Sequence, residues 1–181
     1  MAAIIAIAGA SQPTGYQIKA AFAAGQLIAQ RHAVVVCGGL GGVMDAAARG
    51  VASVGTGVCV GLLPGLDAAA ASPAVTIPIA TGLGEVRNVV LARSCRAMIA
   101  IGGGYGTLTE IGFALRLRRP LALIDSWEFG HASMTTDPDP PRLFTVPRLA
   151  ADSAPDSAER DAHAARSAAA AVNWVFDQLG D

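Results

Sequence analysis

The sequence predicts an α/β protein built on one open parallel sheet with helices on both faces. Three observations predict it. Short runs that are apolar at every position recur along the chain, as strands buried on both faces require. Stretches with helical spacing of apolar residues alternate with those runs, which points to right-handed crossovers between parallel strands. Glycine-rich turns join strand to helix, the arrangement that gathers ligands at the carboxyl edge of such a sheet. The 181 residues suit one domain, 1–181, and 52% hydrophobic residues against 15% charged ones supply a sizeable core.

The first strand is expected over Ala3 to Ala8. A loop of small residues, Gly9 to Gly15, follows it and is open to two readings, a ligand loop through Gly9 and Ser11 or a plain connection. Tyr16 to Gln30 reads as a helix with Ile18, Ala21, Phe22, Leu27 and Ile28 on one side. Ala33 to Cys37 is the second strand. It meets Gly38-Gly39-Leu40-Gly41-Gly42, and a helix runs from Val43 to Gly50 with Asp45 as a solvated first-turn residue. Gly57 to Leu63 is the third strand, stopped by Pro64-Gly65. After an alanine-rich connection, Val75 to Ile79 forms a fourth. A helix is then expected from about Glu85 to Ser94, with Arg87 and Asn88 in its first turn.

The fifth strand, Ala97 to Ile101, stops at Gly102-Gly103-Gly104, and a helix starts near Thr107 with Ile111, Leu115 and Leu117 as apolar positions. Arg116 to Arg119 forms a basic end suited to a helix C-terminus, and Pro120 stops it. Leu121 to Ile124 is another strand, ending at Asp125. From Ser126 to Ala165 the pattern dissolves into an irregular or partly disordered region; Asp152 to Arg166, polar and alanine-rich, is open to two readings, partial disorder or the beginning of the last helix. Asp137 to Pro141 reads there as an exposed loop and Leu143 to Val146 as a last short strand. A final helix is expected over Ser167 to Leu179, burying Val172, Val175, Phe176 and Leu179.

Charge and cysteine usage narrow the function classes. The net charge of -1 gives no bulk electrostatic reason to bind nucleic acid or a membrane surface. No apolar run reaches the roughly 20 residues of a membrane span. The start of the chain lacks a basic segment and reads as a strand, not a signal peptide. Cys37, Cys59 and Cys95 form no CxxC pair, so a cytoplasmic protein with reduced, buried thiols is the simplest account. His32, His131 and His163 lie far apart and show no metal-ligand spacing, so neither a metal nor a cofactor is expected.

The chemistry concentrates between Ala97 and Glu110. A strand that breaks into glycines and restarts as a helix makes an anion site, because backbone N–H groups stand clear of side chains and the helix N-terminus adds partial positive charge. Thr107 reads as the N-cap, with Glu110 at capping-box spacing. Two readings compete: the glycines make only a turn and the pair only a cap, or the loop holds an anion with Glu110 facing it. The Gly38 to Gly42 turn repeats the arrangement, and two such loops can converge on one ligand. Arg87 opposes the dipole at its helix start. It is either an anion ligand or a surface arginine paired with Glu85 or another carboxylate.

The run Gly38-Gly39-Leu40-Gly41-Gly42-Val43-Met44 resembles the GGGxxGLM loop of the Lonely Guy type phosphoribohydrolases, long misannotated as lysine decarboxylases. Gly103-Gly104-Tyr105-Gly106-Thr107-Leu108-Thr109-Glu110 is similar to their PGGxGTxxE motif. The family's Arg-Lys pair falls on Arg87 and Asn88, and a second family arginine on Arg93. The motif's proline is Gly102 here, and this form looks more like a branch of small bacterial Rossmann-like proteins and the molybdenum cofactor carrier proteins.

The resemblance, over roughly residues 4–125, implies a single Rossmann-like domain and a homodimer with sites near its interface. It implies hydrolysis of the N-glycosidic bond of a nucleoside 5'-monophosphate, or else a non-catalytic carrier or sensor of a nucleotide or molybdopterin-type cofactor. In the first case Glu110 stabilises oxocarbenium-like charge or orients water, and Arg87 holds the ligand or assists the departing base. Gly103, Gly104, Tyr105, Gly106 and Thr107 would hold the phosphate. Gly38, Gly39, Gly41, Gly42 and Met44 would line the ligand from the other loop, with Asn88 and Arg93 beside it.

Overall fold

The computed structural model describes residues 2–129, 142–146 and 157–180. Seven strands pair in parallel throughout: β1 Ile4–Gly9, β2 Val34–Cys37, β3 Val58–Leu63, β4 Ile77–Ala80, β5 Ala97–Ile101, β6 Leu121–Ile124 and β7 Leu143–Val146. Their order in the sheet is β4-β3-β2-β1-β5-β6-β7. The chain builds outward from β1 to β4 on one side, then crosses to the other side of β1 to start β5. That reversal opens a crevice at the carboxyl ends of β1 and β5.

The helices are α1 Gly15–Gln30, α2 Val43–Ala52, α3 Arg87–Ser94, α4 Tyr105–Arg116 and α5 Ser157–Leu179. The alternation of side chains along each strand separates two cores. Ile5, Ile7, Val35, Cys37, Ile99 and Ile101 face α1, α2 and α5. Ala6, Ala8, Met98 and Ala100 face the other way, where Leu91 of α3 and Ile111 of α4 pack on them. β5 and β6 are buried at every position, which is why their sequences read as unbroken apolar runs.

The alanine content has a packing reason. α1 and α2 touch through residues without bulk. A Cβ placed on Gly50 would lie 2.0 Å from the carbonyl oxygen of Phe22, and one on Gly25 would lie 2.2 Å from that of Ala47. The two backbones meet where ordinary helices keep side chains between them.

Several boundaries differ from the sequence expectation. α4 begins at Tyr105, with Gly104 as its N-cap in extended backbone, so Thr107 is the third helical residue and makes no cap. The capping box sits instead on α1. There Thr14 Oγ1 accepts from the Gln17 amide at 3.2 Å, and the Thr14 amide donates to Gln17 Oε1 at 3.0 Å. A 3-10 turn, Gly84–Val86, leads into α3, so Arg87 is the first residue of the helix proper. α5 starts at Ser157, ten residues ahead of Ser167, so the stretch from Ser157 to Arg166 takes the second of its two readings and begins the last helix; its first turns are polar and carry no apolar period. Ile18, expected on the buried side of α1, is exposed. Asp45 accepts from Arg49 Nε at 2.9 Å and from Ser72 Oγ at 2.6 Å, so it is a bonded residue and not merely a solvated one. His131 and the Asp137 to Pro141 loop lie outside the described residues.

Gly50→Ala tests the α1–α2 seam. Alanine gains up to about 1 kcal/mol of helix propensity over glycine, whereas overpacking typically costs about 1–3 kcal/mol. With a backbone carbonyl as the obstacle, the clash wins and the melting temperature falls. A rise would show that the helices separate at little cost.

Candidate functional site

Four loops meet at the crevice. Gly9 and Ser11 follow β1, Leu40 and Met44 flank the turn after β2, Arg87 and Asn88 open α3, and Gly104 to Glu110 open α4; together they line a cleft of about 310 Å3. The loop after β1 is held against the start of α2, where the Val43 amide donates to the Ala10 carbonyl at 3.0 Å. The two glycine loops therefore stand on one rim, with the end of β1 between them.

At the cleft's centre is a buried ion pair. Arg87 and Glu110 are 8% and 5% exposed, and Arg87 Nη1 donates to Glu110 Oε1 at 3.1 Å. The same Nη1 donates to Asn88 Oδ1 at 2.7 Å. Asn88 Nδ2 reaches across to α4, donating to Thr109 Oγ1 at 2.8 Å and to the Gly106 carbonyl at 3.4 Å. One asparagine thus ties the start of α3 to the start of α4 and orients the arginine between them. Glu85, the alternative partner for Arg87, instead lines the cleft's rim.

The glycines do two different jobs here. A Cβ on Gly38 would lie 2.7 Å from Arg87 Nη2, so only a bare backbone lets the guanidinium lie against the β2 loop. Gly103 has φ +123, a conformation L side chains rarely adopt, and a Cβ there would strike the Thr107 side chain. Past that bend, the first-turn amides of α4 lack helical acceptors and face the cleft side of the loop. Arg87 Nε is buried with no hydrogen-bond partner among the described residues. A buried donor left unmade costs about 1–3 kcal/mol.

Burial pushes the Glu110 carboxyl up to about 7; the charge and hydrogen bond of Arg87 oppose this only in part, and Glu85 adds to it. The cysteines stay apart from this chemistry. Burial pushes the Cys95 thiol up to about 11, and Cys37 and Cys59 are fully buried, form no disulfide and share a thiol hydrogen bond with their Sγ atoms 3.8 Å apart.

The other sequence-expected residues separate. Gly39 packs on Gly61 of β3, Gly41 faces open space, and Gly42 caps α2 with φ +70. Gly103 lies on the far side of the loop, beside Asp125 and Trp127. Arg93 does not join the cleft: it is exposed in the last turn of α3, six residues from Arg87, and its carbonyl accepts from Arg119. Leu40 and Glu85 line the cleft, and neither carries a sequence signal for doing so. Among the described residues no group of three or more His, Cys, Asp or Glu side chains is placed to hold a metal.

The SLOG cluster4 family profile matches residues 2–150. An uncharacterised protein of Archaeoglobus fulgidus is 41% identical over 112 residues, covering 62% of this chain and 73% of that one. Among solved structures, the molybdenum cofactor binding protein of Rippkaea orientalis is similar with TM-score 0.67 and 37% identity, over 71% of this chain and 78% of that one. The molybdenum cofactor carrier protein of Chlamydomonas reinhardtii gives 0.63 and 32%, over 70% and 78%.

The raised Glu110 carboxyl has a stability signature. Between the usual 4.5 and about 7 the folded protein holds a proton that the unfolded chain has released. Stability therefore falls as pH rises through that window. Thermal melts at pH 5 and pH 8 are expected to show a larger drop for wild type than for Glu110→Gln, which cannot titrate. Equal drops would mean the carboxyl is solvated.

Proposed function

The chain belongs to the SLOG cluster4 family, and on that premise we propose that it binds a small molecule through its phosphate and holds it without turnover. The ligand class is a nucleotide or a molybdopterin-type cofactor. The phosphate sits on the first turn of α4, where free amides and the helix dipole favour an anion, with Arg87 Nε beside it. The observation that carries the reading is the engagement of Arg87: its Nη1 is shared between Asn88 and Glu110. The groups that would do chemistry are spent on one another, while an unpaired donor and the amide cradle remain for binding. The likeness to a molybdenum cofactor binding protein and a molybdenum cofactor carrier protein supports the same reading.

A second reading, hydrolysis of nucleoside 5'-monophosphates, is favoured by one observation. A carboxyl poised at about 7 suits proton exchange with a water or a departing base.

The same reading includes a homodimer packed through α3 and α4. Val86 is 64% exposed and Phe113 37%, and with Val89 they line a hollow of about 600 Å3 that shares Glu85, Tyr105 and Gly106 with the cleft. Exposed apolar surface of this kind marks an association face, and a second copy there would lie beside the ligand. Free, buried cysteines support a cytoplasmic setting. Among the described residues no helix is long and apolar enough to cross a membrane.

Three measurements test this. Calorimetry with AMP, GMP and ribose 5-phosphate is expected to show binding that Arg87→Ala weakens about 10- to 100-fold, the worth of a hydrogen bond to a charged group. Chromatography of the same mixtures should show no free base; base release that Glu110→Gln abolishes would remove the carrier reading and establish the hydrolase. Light scattering is expected to give a dimer for wild type and a monomer for Val86→Asp/Phe113→Asp, and equal masses would remove the interface.

A further inference from the structure

A second hollow, of about 550 Å3, lies on the far side of the Gly102–Gly104 turn, against Gln17, Asp125, Ser126, Trp127 and Glu128. It is a constructed place. Asp125 ends β6 with φ +46, which turns the chain over the sheet edge. Ser126 Oγ donates to the Gly102 carbonyl at 2.7 Å, and Gln17 Nε2 donates to Asp125 Oδ2 at 2.8 Å. Gln17 is itself held by its capping box with Thr14. A Cβ on Gly102 would lie 2.5 Å from the Gln17 amide, so the floor is bare backbone.

The hollow and the cleft share one ridge. Trp127, 38% exposed, faces Tyr105, 83% exposed, with ring centroids 6.5 Å apart and planes 32° apart. Tyr105 lines the cleft and Trp127 the hollow, so this ring pair joins the two sides. The chemistry of the two sides is opposite. The cleft carries the helix N-terminus and Arg87, whose Nε is buried and unpartnered. Among the described residues the hollow is lined by two carboxylates and no cation, beside an indole plane. A phosphate is repelled from it, whereas a planar ring edged with N–H donors is attracted.

The geometry points to the hollow as the ring subsite of the ligand proposed above, selective for a 2-amino-4-oxopyrimidine edge. This edge is shared by guanine and pterins. It presents a ring N–H and an amino group side by side, and a carboxylate accepts from both while Trp127 stacks on the ring. Adenine presents an amino group next to a ring nitrogen lone pair, which a carboxylate repels, so it leaves the acceptor poorly paired. The inference rests on the phosphate reading and adds the orientation and class of the ring.

Titration calorimetry with ribose 5-phosphate, AMP, GMP and a pterin phosphate tests it. GMP or the pterin phosphate is expected to bind at least about tenfold tighter than AMP, which gains over ribose 5-phosphate only the stacking on Trp127. Whichever of the two is tighter identifies the source of the ring. Glu128→Gln should bring the tighter ligand to the level of AMP, Trp127→Ala should weaken the tighter ligand and AMP alike, and neither change should alter ribose 5-phosphate. Both side chains are exposed, so neither change threatens folding. If ribose 5-phosphate binds and no ring adds affinity, or AMP matches the tighter of GMP and the pterin phosphate, the ring subsite is overturned and the phosphate reading stands. If ribose 5-phosphate does not bind, the phosphate reading falls and takes the subsite with it.

Discussion

β1 must hydrogen-bond on both edges, to β2 and to β5, and the arrangement of the crevice follows from that. A parallel strand in the middle of a sheet can be flanked by its successor on one side only. The other side is filled by a strand whose chain has travelled through β3, β4 and α3 first. Loops distant in sequence, after Cys37 and after Ile101, are thereby brought to the end of one strand. The same reversal divides the helices between the two faces, and α3 and α4 end with their first turns side by side. Arg87 and Glu110 meet because of the topology, not because of any local sequence relation.

That meeting is expensive. Removing two charges from water costs several kcal/mol per ion, and their attraction returns this only with good geometry and further hydrogen bonds. Asn88 supplies part of the return by accepting from the arginine and bonding to α4. The remaining imbalance is visible in the raised Glu110 carboxyl and the orphaned Arg87 Nε. A hydrophobic pair would hold α3 to α4 more cheaply. Keeping charges there makes physical sense where an incoming anion completes the set.

The parts of the fold that rest on period and composition were readable. Ala97 to Ile101 and Leu121 to Ile124 had to be strands buried on both faces, and their bounds are unchanged in the structure. The anomaly of an arginine opening a helix was readable at Arg87 as well, although its partner was not. What failed were decisions between competing local rules. Thr107 and Glu110 have capping-box spacing, but Gly104 takes the extended cap conformation first and the helix starts two residues earlier. Thr14 and Gln17, with the same spacing, form the box that went unread. The link from Gln17 to Asp125 spans 108 residues and leaves no trace in either neighbourhood. Arg93 followed a motif register, but on a straight helix six residues carry a side chain well over a turn away from Arg87.

The seam between α1 and α2 bears on how this chain can diverge. Gly25 and Gly50 already stand at the smallest volume any residue offers, each against a neighbouring backbone carbonyl. Drift at such positions has only one direction available, toward greater bulk, so no lineage can compensate an enlargement on one helix by trimming the other. The spacing of these two helices is therefore set by backbone against backbone, and with it the placement of the β2 loop that α2 carries.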